Sequence, residues 1–412
     1  MSKTPIIIAV QGRFHAFALA KALIEQDEPV RVLTNYPAFI AARFGLPAAH
    51  VTGFATLGVL HRYANRWNLV ERLPWLNRFL HQQFSRWAAT KIPREGPVAV
   101  HPFSGVSLEL LRHVRSFRNP VSTMLMRGSG HIVDQYHDLS REARRAGSPI
   151  EKPGAWMIRR ELREYALADH IVTLSSFARN SFLKRGHSPE KVMLLPLGSN
   201  VAQFRPEESV VAARRQRMLS GQKLTVLYTG TVSLQKGIID LIEVAKALAG
   251  TFHFRVVGNI TADAASRVSA AGDVLELVPR QPEASLPAIY NEADLYLFPS
   301  LHDGYATVLA QAQAACLPIL ASDHCAAPDM LREGVTGWTL PVRRTDLFIE
   351  RLRWCESSRP ALAHMTDSLW QNPETRDWAA VATDFAALVR RAMALKNAQP
   401  GNSPHLPKSC SY

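Results

Sequence analysis

Apolar residues along this 412-residue chain gather into short continuous runs, separated by stretches in which they recur every three or four positions. The run Ile6-Ile7-Ile8-Ala9-Val10 is followed by a turn, Gly12-Arg13-Phe14-His15, and then by Phe14, Phe17, Ala18, Ala22 and Leu23 at helical spacing. Unbroken runs of this length predict strands buried on both faces, and the spaced stretches predict amphipathic helices. Val30–Leu33, Val98–His101, Val121–Met126, Ile171–Leu174 and Val192–Leu195 extend the strand series. The pattern pauses at Pro196-Leu197-Gly198-Ser199-Asn200 and turns polar at Arg205-Pro206-Glu207-Glu208. A second cycle opens at Leu224–Gly230 and runs through Phe254–Gly258, Val274–Val278, Leu295–Phe298 and Pro318–Ala321, with helices at Ile238–Leu248 and Leu286–Glu292.

Strand–helix alternation twice over predicts an α/β chain of two doubly wound domains facing across a cleft. The pause assigns 1–198 to the first domain and 199–375 to the second. Trp378–Leu395 predicts a last amphipathic helix, packing back on the first domain over 376–396. Residues 397–412 are polar and Pro-containing, as in a loose tail.

Composition changes this picture in one respect. Apolar residues at 47% and charged residues at 20% describe an ordinary globular chain, but the net charge of +13 is unevenly placed. Residues 1–200 hold 27 Lys and Arg against 14 Asp and Glu, whereas the remainder holds 21 of each. The basic half points to an anionic partner: a phospholipid surface, a phosphorylated lipid or nucleic acid. Cys316, Cys325, Cys355 and Cys410 lack metal-ligand spacing and read as free thiols of a reducing compartment. The start of the chain lacks the pattern of a signal peptide, and no apolar run reaches membrane-spanning length.

The most informative segment is Leu295-Tyr296-Leu297-Phe298-Pro299-Ser300, followed by Leu301-His302-Asp303-Gly304-Tyr305-Ala306-Thr307 and then Gln311. An apolar strand ends at Pro-Ser, an acid and a glycine follow, and a helix opens near Ala306. Such an arrangement gathers an acid and backbone N–H groups at a helix N-terminus, where an anionic ligand is favoured. Thr307 lies midway between Asp303 and Gln311, four residues from each, so the three share a helix face.

This segment resembles the donor-sugar motif of retaining GT-B glycosyltransferases, family four, of the bacterial group 1 type that builds envelope polysaccharide and lipopolysaccharide. The family form is Pro-Ser, a short gap, Glu-Gly-Phe-Gly, and a second Glu eight residues after the first. The resemblance implies that Asp303 holds sugar hydroxyls, with Gly304, Tyr305, Ala306 and Thr307 around it, and that Gln311 hydrogen-bonds a ribose. Tyr228-Thr229-Gly230 with Gln235-Lys236-Gly237 is similar to the turn that brings an Arg and a Lys to the donor pyrophosphate. Here Lys236 is present and Thr231 stands where the Arg is expected. Gly12 occupies the place of the first turn near the donor phosphates, and Gly258, ending its strand, joins the donor set.

Further segments carry the resemblance over nearly the whole chain. Arg127-Gly128-Ser129-Gly130-His131 follows a strand and is similar to the stretch that places a His near the anomeric carbon. It makes His131 and Arg127, with Asp303, the candidate catalytic residues, polarising the acceptor hydroxyl or the leaving phosphate; a satisfied loop histidine is the plain alternative. His101, before Pro102, is the rival, on the acceptor side. Glu164–Asp169 and Gly198 with Asn200 match inter-domain segments. Ser322–Asp329 stands where relatives carry Gly-Gly, and Cys325 there is expected to be a packed thiol.

Trp75, Leu76, Phe79, Leu80, Phe84 and Trp87 recur at helical spacing, with Arg78 and Arg86 on the opposite face. Seven basic residues and one acid, Glu71, lie between Leu57 and Arg94. Arg72, Trp75, Arg78 and Trp87 thereby form a candidate acceptor-side or membrane contact, as an interfacial helix on anionic lipid; a helix packed on the sheet is the alternative.

The resulting expectation is an enzyme: a retaining glycosyltransferase acting from a nucleotide-diphosphate sugar on a glycan or lipid-linked acceptor. Lys, Arg and helix N-termini make a metal or other cofactor unnecessary. It would be cytoplasmic, with the inner face of the membrane as an added site. A catalytically silent relative, a GT-B nucleotide-sugar epimerase and, remotely, a basic nucleic-acid-binding protein are the alternatives; the last lacks any nucleic-acid motif.

Overall fold

A computed structural model describes residues 3–67, 69–199, 201–373 and 376–398. Asn200, Cys410 and the tail from 399 onward lie outside the described residues. The chain has two parallel sheets. The first comprises β1 (Ile6–Val10), β2 (Val30–Thr34), β3 (Val51–Gly53), β4 (Val98–Pro102), β5 (Val121–Arg127), β6 (His170–Thr173) and β7 (Val192–Leu194). Their order is β3-β2-β1-β4-β5-β6-β7. The second comprises β8 (Leu224–Thr229), β9 (Phe252–Val257), β10 (Glu276–Val278), β11 (Leu295–Phe298), β12 (Ile319–Ser322) and β13 (Gly337–Leu340). Its order is β10-β9-β8-β11-β12-β13.

The central strands are buried along their whole length, β1, β4, β11 and β12 at every residue. This follows from parallel pairing, in which each crossover lays a helix on one face or the other. β3 and β13, with three and four residues, are too short to show a periodic signal.

The chain divides into two compact units, each discontinuous in sequence. One is Met1–Met126, Arg160–Ile171 and Ala382–Tyr412; the other is Arg127–Arg159 and Val172–Val381. The expected junction at 198 falls inside the second unit, which takes in the chain from Val172 to Val381. Helix Trp378–Asn397 has its residues from Ala382 in the first unit. There Phe385 meets the His101 ring at 4.6 Å and Lys396 reaches Asp169 Oδ1 at 2.8 Å.

Candidate functional site

In the second sheet the strand order reverses between β8 and β11. β8 continues to β9 on one side, and β11 continues to β12 on the other. Loops leaving the carboxyl ends of these strands diverge and open a crevice, where a doubly wound sheet binds its ligand. Two segments singled out in the sequence meet there: Gly230-Thr231 after β8, and Pro299 to Asp303 after β11.

A cavity of about 490 Å³ is lined by Gly230, Thr231, Gly258, Thr307 and Gln311, together with Arg280. A second, of about 720 Å³, shares Thr231 and is lined also by Ser233, Gln235 and Lys236. The donor set expected from the sequence is thus largely gathered in one unit. Arg280 was not anticipated. It lies two residues past β10, and its position at the carboxyl end of a parallel strand is the signal that could have found it.

Asp303 spends its carboxylate on its own loop and on Lys236. One oxygen accepts from the backbone N–H of Tyr305 at 3.1 Å and of Ala306 at 3.0 Å. The other is bonded to the Lys236 ammonium. Burial opposes the charge, but Lys236 and the two N–H groups hold the carboxyl below the ordinary Asp range. Lys236 is brought into place by Gly237 (φ +79°), where a Cβ would overlap the Pro299 carbonyl.

Gln311 belongs to a buried chain of hydroxyls. Its Oε1 accepts from Tyr290 Oη at 3.1 Å, and Tyr290 Oη lies 2.6 Å from Thr229 Oγ1. With the carbonyl end taken, the side chain offers its amide N–H₂ to the cavity.

Other candidates have structural tasks. Tyr305 is buried, with its hydroxyl donating to Leu197 O at 2.6 Å, so it braces the loop. Gly304 lies against Gly128, whose carbonyl a Cβ at 304 would overlap. The Arg127–His131 and Asp303–Ala306 motifs therefore dock backbone to backbone. Arg127 spans its own turn, donating to Gly130 O at 3.2 Å and Gln135 Oε1 at 2.6 Å.

His131 is 2% exposed and caps helix Ile132–Ala146, its Nδ1 accepting from Val133 N at 3.2 Å. Burial, helped by Arg185, His187 and Arg127, lowers its pKa to about 3. A buried, neutral capping ring does not present itself to a reacting group, which corrects the catalytic expectation.

In the first unit, Gly12 N donates to Asn35 Oδ1 at 2.8 Å and its carbonyl accepts from Thr34 Oγ1. His101 is 1% exposed, its Nδ1 bonded to Met124 O at 2.7 Å. It is a core histidine rather than an acceptor contact, covered by Phe385. Helix Pro74–Ala89 divides its apolar stripe: Leu80 and Phe84 are buried, and Trp87 stacks on Phe54 at 5.0 Å. Trp87 is therefore a packing residue. Trp75 (60% exposed) and Phe79 face outward on the same side as Arg78, rather than opposite it. Helix Ala55–Arg66 and the residue after it add exposed Val59, Leu60, Tyr63 and Trp67 beside Arg62 and Arg66. Among the described residues no helix is long and apolar enough to cross a membrane. Cys316, Cys325 and Cys355 are buried free thiols, and burial pushes Cys325 up to about 12.

Comparison with known proteins agrees with this geometry. Residues 212–368 match the family model described as Glycosyl transferases group 1. The amylovoran biosynthesis glycosyltransferase AmsK of Erwinia amylovora is 23% identical over 192 residues, covering 43% of this chain and 45% of that protein. A D-inositol 3-phosphate glycosyltransferase of Segniliparus rotundus is 26% identical over 222 residues, covering 47% and 48%. The chain spans about half the length of these curated relatives. Among solved structures, HepE of Anabaena in complex with UDP superposes with a TM-score of 0.65 at 13% identity, covering 94% of this chain and 100% of that one. Residues 212–368 thus match the group 1 glycosyl transferase family, in a chain whose fold is that of GT-B glycosyltransferases, with two Rossmann-like domains built on parallel sheets.

Proposed function

We propose that the protein transfers a sugar, with retention, from a nucleotide-diphosphate donor to a hydroxyl of an envelope-glycan or lipid-linked acceptor. The observation that carries this reading is the crevice at the strand-order reversal of the second sheet, where Thr231, Arg280, Thr307 and Gln311 share one cavity and Thr231 leads to Lys236 in the next. Gln311 and the loops around Gly230 and Gly258 take the nucleoside. Lys236 and the N-terminus of helix Ile238–Ala247 meet the pyrophosphate, and Arg280 supplies the second cation that Thr231 does not. Asp303 turns to the sugar hydroxyls. Catalysis then consists of stabilising the departing diphosphate by fixed charge, and a divalent metal is not needed. The names of AmsK, an amylovoran biosynthesis glycosyltransferase, and of HepE, crystallised with UDP, support the substrate class.

The acceptor is met at an anionic membrane surface. Outward Tyr63, Trp67, Trp75 and Phe79 lie among Arg62, Arg66, Arg72 and Arg78 on the first unit. Each such cation is worth about 1 kcal/mol near an anionic bilayer.

The test is a thermal-shift screen against UDP, GDP, ADP and their sugar conjugates, with and without chelator. Saturable stabilisation by one base, diminished in Lys236→Ala and unaffected by chelator, is expected. No response to any nucleotide would favour a silent relative.

A further inference from the structure

His302, the residue before Asp303, is fully enclosed. Its Nδ1 lies 3.0 Å from Asp138 Oδ2 on helix Ile132–Ala146. Its carbonyl accepts from Gln235 Nε2 at 2.9 Å, next to Lys236 in sequence. The backbone around it is tied as well: Leu301 N donates to Gln235 O, and Asp303 N donates to His324 O, both at 2.9 Å. His324 Nδ1 reaches Leu301 O at 2.9 Å and lies 3.7 Å from the same Asp138 oxygen. Phe177 covers both imidazoles, edge-on to His302 at 5.2 Å and stacked on His324 at 4.8 Å.

The far side of the ring is equally confined. His302 Nε2 is buried without a hydrogen-bond partner among the described residues. It faces Gly130, where a Cβ would stand 3.0 Å away. A proton on Nε2 would therefore find no acceptor among the described residues, whereas a proton on Nδ1 meets a carboxylate. Asp138 thus selects the Nδ1–H tautomer.

Burial lowers the His302 pKa, Asp138 opposes that, and Arg127 and His324 add to it. Asp138 is in turn held below the ordinary Asp range, against burial, by His302, His324 and Arg343. Arg343 also binds the Asp138 carbonyl and Glu142.

We infer that Asp138 and His302 form a positioning pair, which fixes one imidazole tautomer and thereby sets where the Asp303 carboxylate stands beside Lys236. The inference rests on the donor-site reading above. His302 touches no reacting group; it acts through the loop it anchors.

The experiment compares wild type, Asp138→Asn, His302→Asn and His302→Gln. One arm measures UDP and UDP-glucose affinities by calorimetry. The other records the ¹⁵N signals and pH titration of the His302 ring in wild type and Asp138→Asn. In Asp138→Asn the charged acceptor is lost and the Nδ1–H is held only by a neutral amide oxygen. UDP affinity is then unchanged while UDP-glucose affinity falls by about tenfold, the scale of one weakened hydrogen bond to a charged group. His302→Asn, whose amide can replace the Nδ1–H donor, recovers more UDP-glucose affinity than His302→Gln. The His302 titration moves to lower pH once the carboxylate is gone. Equal weakening of UDP and UDP-glucose, or a wild-type ring with its proton on Nε2, overturns the proposal. Failure of wild type to bind either nucleotide counts against the donor reading, and the ring's tautomer then decides the pair by itself.

Discussion

The ammonium of Lys236 and the carboxylate of Asp303, 67 residues apart in sequence, are bonded to each other at the carboxyl ends of β8 and β11. Each neutralises the charge that the other would offer to a donor. A pyrophosphate arriving at Lys236 must share or replace the carboxylate.

This relationship gives opposite expectations for the two residues. Lys236→Ala removes a charge-assisted hydrogen bond and should weaken UDP binding by about tenfold or more. Asp303→Asn releases the ammonium, so binding of bare UDP should tighten while the added affinity from a sugar falls. Calorimetry on both variants checks this, and parallel weakening of UDP in both would contradict it.

Ala306 holds a left-handed backbone conformation, φ +64°, at the start of helix Thr307–Ala314. A side chain there costs roughly 1 kcal/mol or more that glycine does not pay. Ala306→Gly should raise the unfolding free energy by about 0.5–1 kcal/mol after the entropy of the added glycine is deducted. Denaturant titration would show it as a higher midpoint with an unchanged slope.

Arg214 is fully buried and donates to the carbonyls of Ala293, Ala315, Cys316 and Tyr290. Burial lowers its pKa to about 10, which leaves it charged at neutral pH. Arg214→Met fills part of the volume but strands four acceptors, and should cost about 3 kcal/mol. Chemical denaturation measures this. A near-neutral result would mean that water replaces the guanidinium.

Burial lowers the pKa of His15 to about 3, of His101 to about 4 and of His131 to about 3. Below pH 6.5 the unfolded chain takes up protons at these rings that the folded chain refuses. Stability should therefore decline as pH falls from 6.5 towards 4, by about 1.4 kcal/mol per pH unit for each proton withheld. His101→Asn keeps a donor for Met124 O and removes one such proton. A visibly shallower decline is expected in thermal melts across that range.

Trp75→Ala with Phe79→Ala should lower binding to anionic vesicles while leaving the fold intact, because both side chains face outward. Vesicle sedimentation measures this, and unchanged binding would remove these residues from the surface contact.

The alternation of buried runs and helical spacing made the two-sheet α/β architecture legible, since parallel strands covered on both faces must be apolar throughout. The motif around Asp303 lies on the loop after β11, and Lys236 lines the cavity beside it. The roles of individual side chains were less legible. Trp75 and Trp87 have the same spacing and chemistry, yet one is exposed and the other stacks on Phe54. His131 and His101 look alike as loop or strand-end histidines, and both are buried with Nδ1 already engaged. Sequence spacing assigns a residue to a helix face but does not show which neighbouring element covers that face.

By itself, the sequence determined most of the strands and helices, their alternation, and the glycines at Gly237 and Gly304 that permit close backbone approach. These are properties of local periodicity and backbone freedom. Only the tertiary structure decided that Asp303 faces Lys236, that Arg280 joins Thr231 and Gln311, and that Asp138 reaches His302 across 164 residues. Those partners are set by the order in which strands enter a sheet and by which loops emerge at its reversal, and neither is written in the spacing of apolar residues.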